Sequence, residues 1–196
     1  MTKILFVCHG NICRSPMAEY VMKDLVRQSG REDEFVIASA ATSREELGNP
    51  VYPPARRKLA EHGIRCDGHA ARQMTRKDYE EFGYLIGMDR MNLSNMARIC
   101  GGDPEGKCSL LLAHAGQSGD VADPWYTGDF EATWQDVNIG CRALLKELTE
   151  KSKMKIASAL FTTCANKLPL THSTRFPAPQ VLWAWQIPAG SYSANA

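Results

Sequence analysis

Ile4-Leu5-Phe6-Val7-Cys8-His9-Gly10-Asn11-Ile12-Cys13-Arg14-Ser15-Pro16 changes character twice within thirteen residues. Its first four residues are an unbroken apolar run of β-formers, the pattern of a strand buried on both faces of a parallel sheet. From Pro16 onward, Met17, Val21, Met22, Leu25 and Val26 recur at helical spacing. Pro is favoured at a first helical position behind a Ser cap, and Ser29-Gly30 ends the pattern. A strand therefore passes into a helix through one short polar loop.

Working outward, the alternation repeats. Phe35–Ala38 reads as a second strand, and Pro54–His62 as a helix closed by Gly63. Thr75 can cap a short helix over Lys77–Phe82. Tyr84–Met88 is a third strand, followed by a helix over Asn92–Ile99. Ser109–Ala113 is a fourth strand, and Phe130–Leu148 a long amphipathic helix. Strands separated by helices predict an α/β fold: a four-stranded parallel sheet with helices on both faces, a flavodoxin-like or Rossmann-like three-layer arrangement. Ligands in such sheets bind beyond the carboxyl ends of the strands, where the Cys8 loop lies.

The whole chain has 196 residues, 44% hydrophobic and 23% charged, with a formal net charge of +1. That balance predicts neither a nucleic-acid nor a membrane-surface partner. The first 150 residues hold 18 basic and all 22 acidic residues; the last 46 hold five basic ones and no acid. Residues 1–150 are expected to form one domain, and 151–196, interrupted by Pro169, Pro177, Pro179 and Pro188, a disordered or loosely attached tail. The apolar start is too short for a signal-peptide core, and nothing approaches the roughly 20 apolar residues of a membrane span. Seven scattered cysteines do not make a disulfide framework, so a reducing cytoplasm is the expected location.

The loop carries the chemistry. A turn between a buried strand and a helix start can gather backbone N–H groups into an anion site. Gly10 permits a left-handed or tight conformation there, and Asn11 tolerates one better than most residues. Arg14 supplies a planar fork for two phosphate oxygens. Cys8, in that positive field, is expected to be held as a thiolate, with the Ser15 hydroxyl donating to it. A thiolate facing a bound phosphoryl group is placed for attack and a phosphocysteine intermediate. Each residue alone has a blander meaning, a core cysteine or an ordinary turn; it is their order at this junction that is specific.

Val7-Cys8-His9-Gly10-Asn11-Ile12-Cys13-Arg14-Ser15-Pro16, Ser39-Ala40-Ala41-Thr42-Ser43, Gly48-Asn49-Pro50, Gly68-His69-Ala70-Ala71-Arg72-Gln73, Gly87-Met88-Asp89 and Asp123-Pro124-Trp125-Tyr126 together resemble the low-molecular-weight protein tyrosine phosphatases, in a bacterial style, from about residue 3 to about residue 148. The resemblance implies hydrolysis of phosphotyrosine in proteins without metal or other cofactor, by a monomer or weak homodimer. It makes Cys8 the nucleophile, Arg14 the phosphate ligand and Asp123 the general acid. On its own, Asp123-Pro124 reads more readily as an exposed turn. The loop residues His9, Gly10, Asn11, Ile12, Cys13 and Ser15 would surround the phosphate, with Ser39 and His69 as supporting hydrogen-bond partners. Asp89 matches a position near the site.

Trp125 and Tyr126 are expected to wall an aromatic slot suited to a phenyl phosphate, opposite Arg44, Glu45, Glu46 and Leu47. His9 stands where the family often has an aliphatic residue. Cys13 is either a buried loop cysteine or, as the resemblance implies, a partner for a reversible disulfide with Cys8. Cys100 and Cys108 flank a Gly-rich turn without enough further ligands for zinc.

Three rivals remain. An arsenate reductase would need a further redox cysteine pair, for which Cys100 and Cys108 are poorly spaced. Protein-arginine phosphatases tend to carry threonine where Ile12 stands. A phosphopeptide-binding module without turnover would make Asp123 dispensable.

Overall fold

The computed structural model describes residues 1–165, with side chains to Met154. Four parallel strands, β1 (Thr2–Cys8), β2 (Phe35–Ala41), β3 (Tyr84–Gly87) and β4 (Cys108–Leu110), form one sheet in the order β2-β1-β3-β4. Among the described residues six α-helices accompany them: α1 (Arg14–Gln28), α2 (Pro53–Glu61), α3 (Arg76–Glu81), α4 (Arg90–Cys100), α5 (Pro124–Thr127) and α6 (Phe130–Ala165).

The alternation within β1 explains the three layers. Ile4, Phe6 and Cys8 face one side, where α1, α2 and α6 contribute Met17, Met22, Leu59, Val137, Cys141 and Leu144. Leu5 and Val7 face the other, against Tyr79, Phe82, Met96 and Cys100 of α3, α4 and the loops beside them. Covered on both faces, β1 can be apolar without alternation, which is what Ile4–Val7 displays. The chain leaves β1 to build β2 on one side and β3 on the other, so the order reverses at the carboxyl end of β1. Crevices open at such reversals, and Cys8 is the last residue of the strand.

Helix ends follow their residues. Thr75 and Asp78 make a reciprocal capping box at the start of α3. Asp89 caps α4 by accepting from Asn92 N at 2.6 Å.

The boundaries differ from the sequence expectation at several places. The first helix starts at Arg14 behind Cys13, so Ser15 lies inside it and does not cap it, and the second strand runs on past Ala38 to Ala41. The fourth strand stops at Leu110, and Leu112–Ala115 forms a 3₁₀ turn instead. His114 explains the change: its ring reaches Ser109 Oγ at 3.0 Å and Glu147 Oε2 at 2.7 Å, folding the segment toward α6. The last helix continues past Leu148 to Ala165, so residues 151–165, expected to belong to the tail, are helical. No Gly or Pro occurs between Cys141 and Ala165 to stop it. The remainder of the expected tail, 166–196, lies outside the described residues. No helix among the described residues is long and apolar enough to cross a membrane.

Candidate active site

Asn11 organises the loop between β1 and α1. It is fully buried and, alone among the non-glycine residues described, has a positive φ, 60°. Each of its polar groups is engaged. Its N–H donates to Cys8 Sγ at 3.2 Å, and its Nδ2 donates to Ser15 Oγ at 3.0 Å and Ser39 Oγ at 2.8 Å. Its Oδ1 accepts from Arg72 N at 3.1 Å, and its carbonyl lies 2.8 Å from His69 Nε2. The left-handed conformation expected of Gly10 or Asn11 falls to Asn11. Gly10 matters for space instead, since a Cβ there would come within 3.1 Å of Glu46 Cγ.

Cys8 is 3% exposed, and its sulfur lies 3.0 Å from Ser15 Oγ. With the Asn11 amide, that gives the sulfur two polar neighbours at the floor of the loop. Behind them Ser39 Oγ donates to Glu19, a carboxylate buried on the inner face of α1. Arg72 is fixed in turn by two bonds to Asp78, at 2.8 and 3.1 Å. Burial alone would raise the Asp78 carboxyl, yet the Arg72 guanidinium and Thr75 outweigh it and hold it below its ordinary value.

Arg14 is 4% exposed and meets two carboxylates. Its NH1 donates to Asp89 Oδ2 at 2.6 Å, and its NH2 lies 2.5 Å from Asp123 Oδ2. Burial works against the guanidinium charge, but Cys8, Asp89 and Asp123 outweigh it and push its pKa up. Burial, reinforced by Cys8 and Asp123, pushes the Cys13 thiol up to about 12, so at neutral pH it is uncharged.

A cleft of about 340 Å³ lies over this loop. Cys8, His9, Gly10, Ile12, Cys13 and Arg14 form its loop side, and Glu45, Glu46, Asp89, Asp123, Trp125 and Tyr126 stand around it. Asp123 caps the single-turn helix α5, accepting from Trp125 N at 3.1 Å, with Pro124 at the first helical position. Trp125 and Tyr126 project into solvent, 59% and 85% exposed. The Trp125 ring rests on Tyr52, with centroids 5.6 Å apart. Of the expected opposite wall, Glu45 and Glu46 line the cleft, while Arg44 and Leu47 do not. His9 is paired with Glu45 at 3.0 Å on the exposed rim.

The structure thus gathers Cys8, Arg14 and Asp123 at one cleft, with Ser15, Ser39 and His69 bracing its loop. Asp89 proves to be a direct partner of Arg14. Nothing in the sequence singles out Glu19, although a carboxylate amid the buried stripe of α1 is a detectable irregularity. Tyr52, the support of Trp125, carries no local signal. Among the described residues no cluster of three or more His, Cys, Asp or Glu side chains is placed to hold a metal.

Fold and site together define a three-layer α/β protein that presents a thiol and a guanidinium to one anion-sized cleft. The chain belongs to the low molecular weight phosphotyrosine protein phosphatase family, whose model matches residues 3–154. It is similar to the low molecular weight protein-tyrosine-phosphatase YfkJ of Bacillus subtilis, 36% identical over 156 residues, covering 79% of this chain and all of that one. The crystal structure of YfkJ matches with a TM-score of 0.74, covering 77% of this chain and 96% of that one. A low molecular weight protein tyrosine phosphatase from Streptococcus pyogenes is 40% identical with a TM-score of 0.70, covering 79% of this chain and 98% of its own. A structure described as Drosophila arginine phosphatase is 29% identical with a TM-score of 0.68, covering 75% and 98%.

Proposed function

We propose that this protein hydrolyses phosphotyrosine in phosphoproteins, with Cys8 as nucleophile, Arg14 as phosphate ligand and Asp123 as general acid. The observation that carries the proposal is the single cleft in which Cys8 Sγ, the Arg14 fork and Asp123 converge.

The steps follow from that arrangement. An incoming phosphate takes the Arg14 fork, and Asp123, 2.5 Å from NH2 beforehand, is released toward the leaving oxygen and takes up a proton from solvent. Cys8 Sγ attacks phosphorus as the bond to the phenolic oxygen breaks. Asp123 gives that oxygen its proton, and free tyrosine hydroxyl departs. The phosphoryl group then rests on sulfur. Asp123, now ionised, takes a proton from water as the water oxygen attacks phosphorus, and the S–P bond breaks to return the thiolate. Ser15 and the Asn11 amide, already beside the sulfur, stabilise the charge it carries on departure. Cys13, an uncharged thiol, takes no part as nucleophile.

Trp125 and Tyr126 favour an aryl ester, which can lie between rings where a short phosphoserine side chain cannot reach the loop. The test is hydrolysis of phosphotyrosine, phosphoserine and phosphoarginine peptides by the wild type and Cys8→Ser. Phosphotyrosine turnover that disappears in the variant, by about 10⁴-fold or more, is the expected result. Turnover of phosphoarginine alone would move the protein to the arginine-directed activity, and an active Cys8→Ser would remove the nucleophile assignment.

A further inference from the structure

A second, smaller cavity of about 210 Å³ lies next to the cleft, lined by His9, Thr42, Ser43, Asn95, Arg98 and Ile99. His9 lines both, and so forms their shared wall. Backbone bonds tie the small cavity to the phosphate loop: Thr42 N donates to the Cys8 carbonyl at 2.8 Å, and Ser43 N to the His9 carbonyl at 3.0 Å.

The two cavities differ in charge. Glu45, Glu46, Asp89 and Asp123 line the cleft. No carboxylate lines the smaller cavity, and an arginine does. The Arg98 guanidinium donates to Asn95 Oδ1 and, among the described residues, forms no ion pair. Thr42, 9% exposed, carries the one buried side-chain oxygen among the described residues with no hydrogen-bond partner. An arginine without a counter-ion therefore borders this shallow cavity, beside a threonine whose hydroxyl is closed to solvent.

We propose that this cavity is a substrate subsite that receives an acidic side chain of the peptide next to the phosphotyrosine. The proposal rests on the phosphotyrosine activity argued above and adds the substrate's sequence preference. A peptide carboxylate is repelled by Glu45 and Glu46 on the cleft rim and attracted past His9 to Arg98. There the guanidinium fork donates to it, with the Asn95 amide and the Ser43 hydroxyl as further donors.

The experiment measures kcat/KM for phosphotyrosine peptides that differ only by Glu, Gln or Lys at each flanking position, with wild type and Arg98→Glu. Hydrolysis of p-nitrophenyl phosphate, too small to reach the subsite, is measured alongside. Arg98 is exposed, so the expected preference of the wild type for Glu over Gln is modest, about threefold to fivefold at one position. In Arg98→Glu the preference should turn to Lys, with p-nitrophenyl phosphate hydrolysis unchanged. Equal rates on Glu and Gln peptides, or an acidic preference that survives Arg98→Glu, would overturn the subsite while leaving the phosphatase intact. Failure to hydrolyse every phosphotyrosine peptide would overturn the phosphotyrosine activity itself and the subsite with it.

Discussion

The loop from Cys8 to Ser15 and the segment from Asp123 to Asp129 face each other across one cleft and are held in opposite ways. Asn11, Arg14 and Ser15 are buried, and the loop is bonded to β2, to the stretch around His69–Arg72 and to α1. The facing segment bonds largely to itself. Trp125 N and Thr127 Oγ1 both donate to Asp123, and Asp129 N donates to Thr127 Oγ1. Anchorage comes at its flanks, where Ala122 is held by Asp136 and Thr133. The position of the proposed nucleophile is thus a property of the whole fold, while that of the proposed acid is set largely by one turn at the surface. Injury to the first should damage stability and chemistry together; injury to the second should damage chemistry alone.

The sharpest way to break this contrast is Asp123→Asn. It removes the proposed proton donor, so turnover should fall about 10³-fold, while thermal unfolding shifts little, because Asn still caps α5 and Asp89 still pairs with Arg14, and orthovanadate still binds. A large drop in melting temperature would show that the acid segment is as structural as the loop. Asn11→Ala attacks the other side. It strips partners from Ser15 and Ser39 and leaves a positive φ on a residue that resists it, so denaturant unfolding should show a loss on the order of 3 kcal/mol. Turnover should fall as well, because Ser15 loses its orientation. Unchanged stability in that variant would erase the distinction. Tyr126→Ala should do least: loss of one exposed wall raises KM for a phosphotyrosine peptide about threefold, with kcat and stability kept.

The same contrast governs what could be read without coordinates. Ile4–Val7, the Cys8–Ser15 loop and the apolar stripe of α1 announce themselves locally, since a doubly covered strand and a strand-to-helix anion loop each demand particular residues at fixed spacing. Gly63 and Thr75 marked helix boundaries for equally local reasons. Asp123 acquired meaning only through family resemblance, because a surface turn demands little beyond Asp-Pro. The two-carboxylate grip on Arg14 and the chain from Ser39 to Glu19 were hidden. They join residues 75, 109 and 20 positions apart in sequence, and no short-range pattern encodes such a pairing. The extent of α6 beyond Leu148 was missed because its amphipathic period weakens there even though nothing breaks the helix.

The ion pair between Arg14 and Asp123 has a consequence for what happens after the chemistry is over. It supplies the empty cleft with a resident competitor for anions, tethered and always present at high local concentration. Affinity for any free oxyanion is therefore the difference between two pairings with the same guanidinium, which keeps that affinity low. On the proposed mechanism, inorganic phosphate is then displaced from the guanidinium by Asp123, so the proposed acid also helps to clear the product.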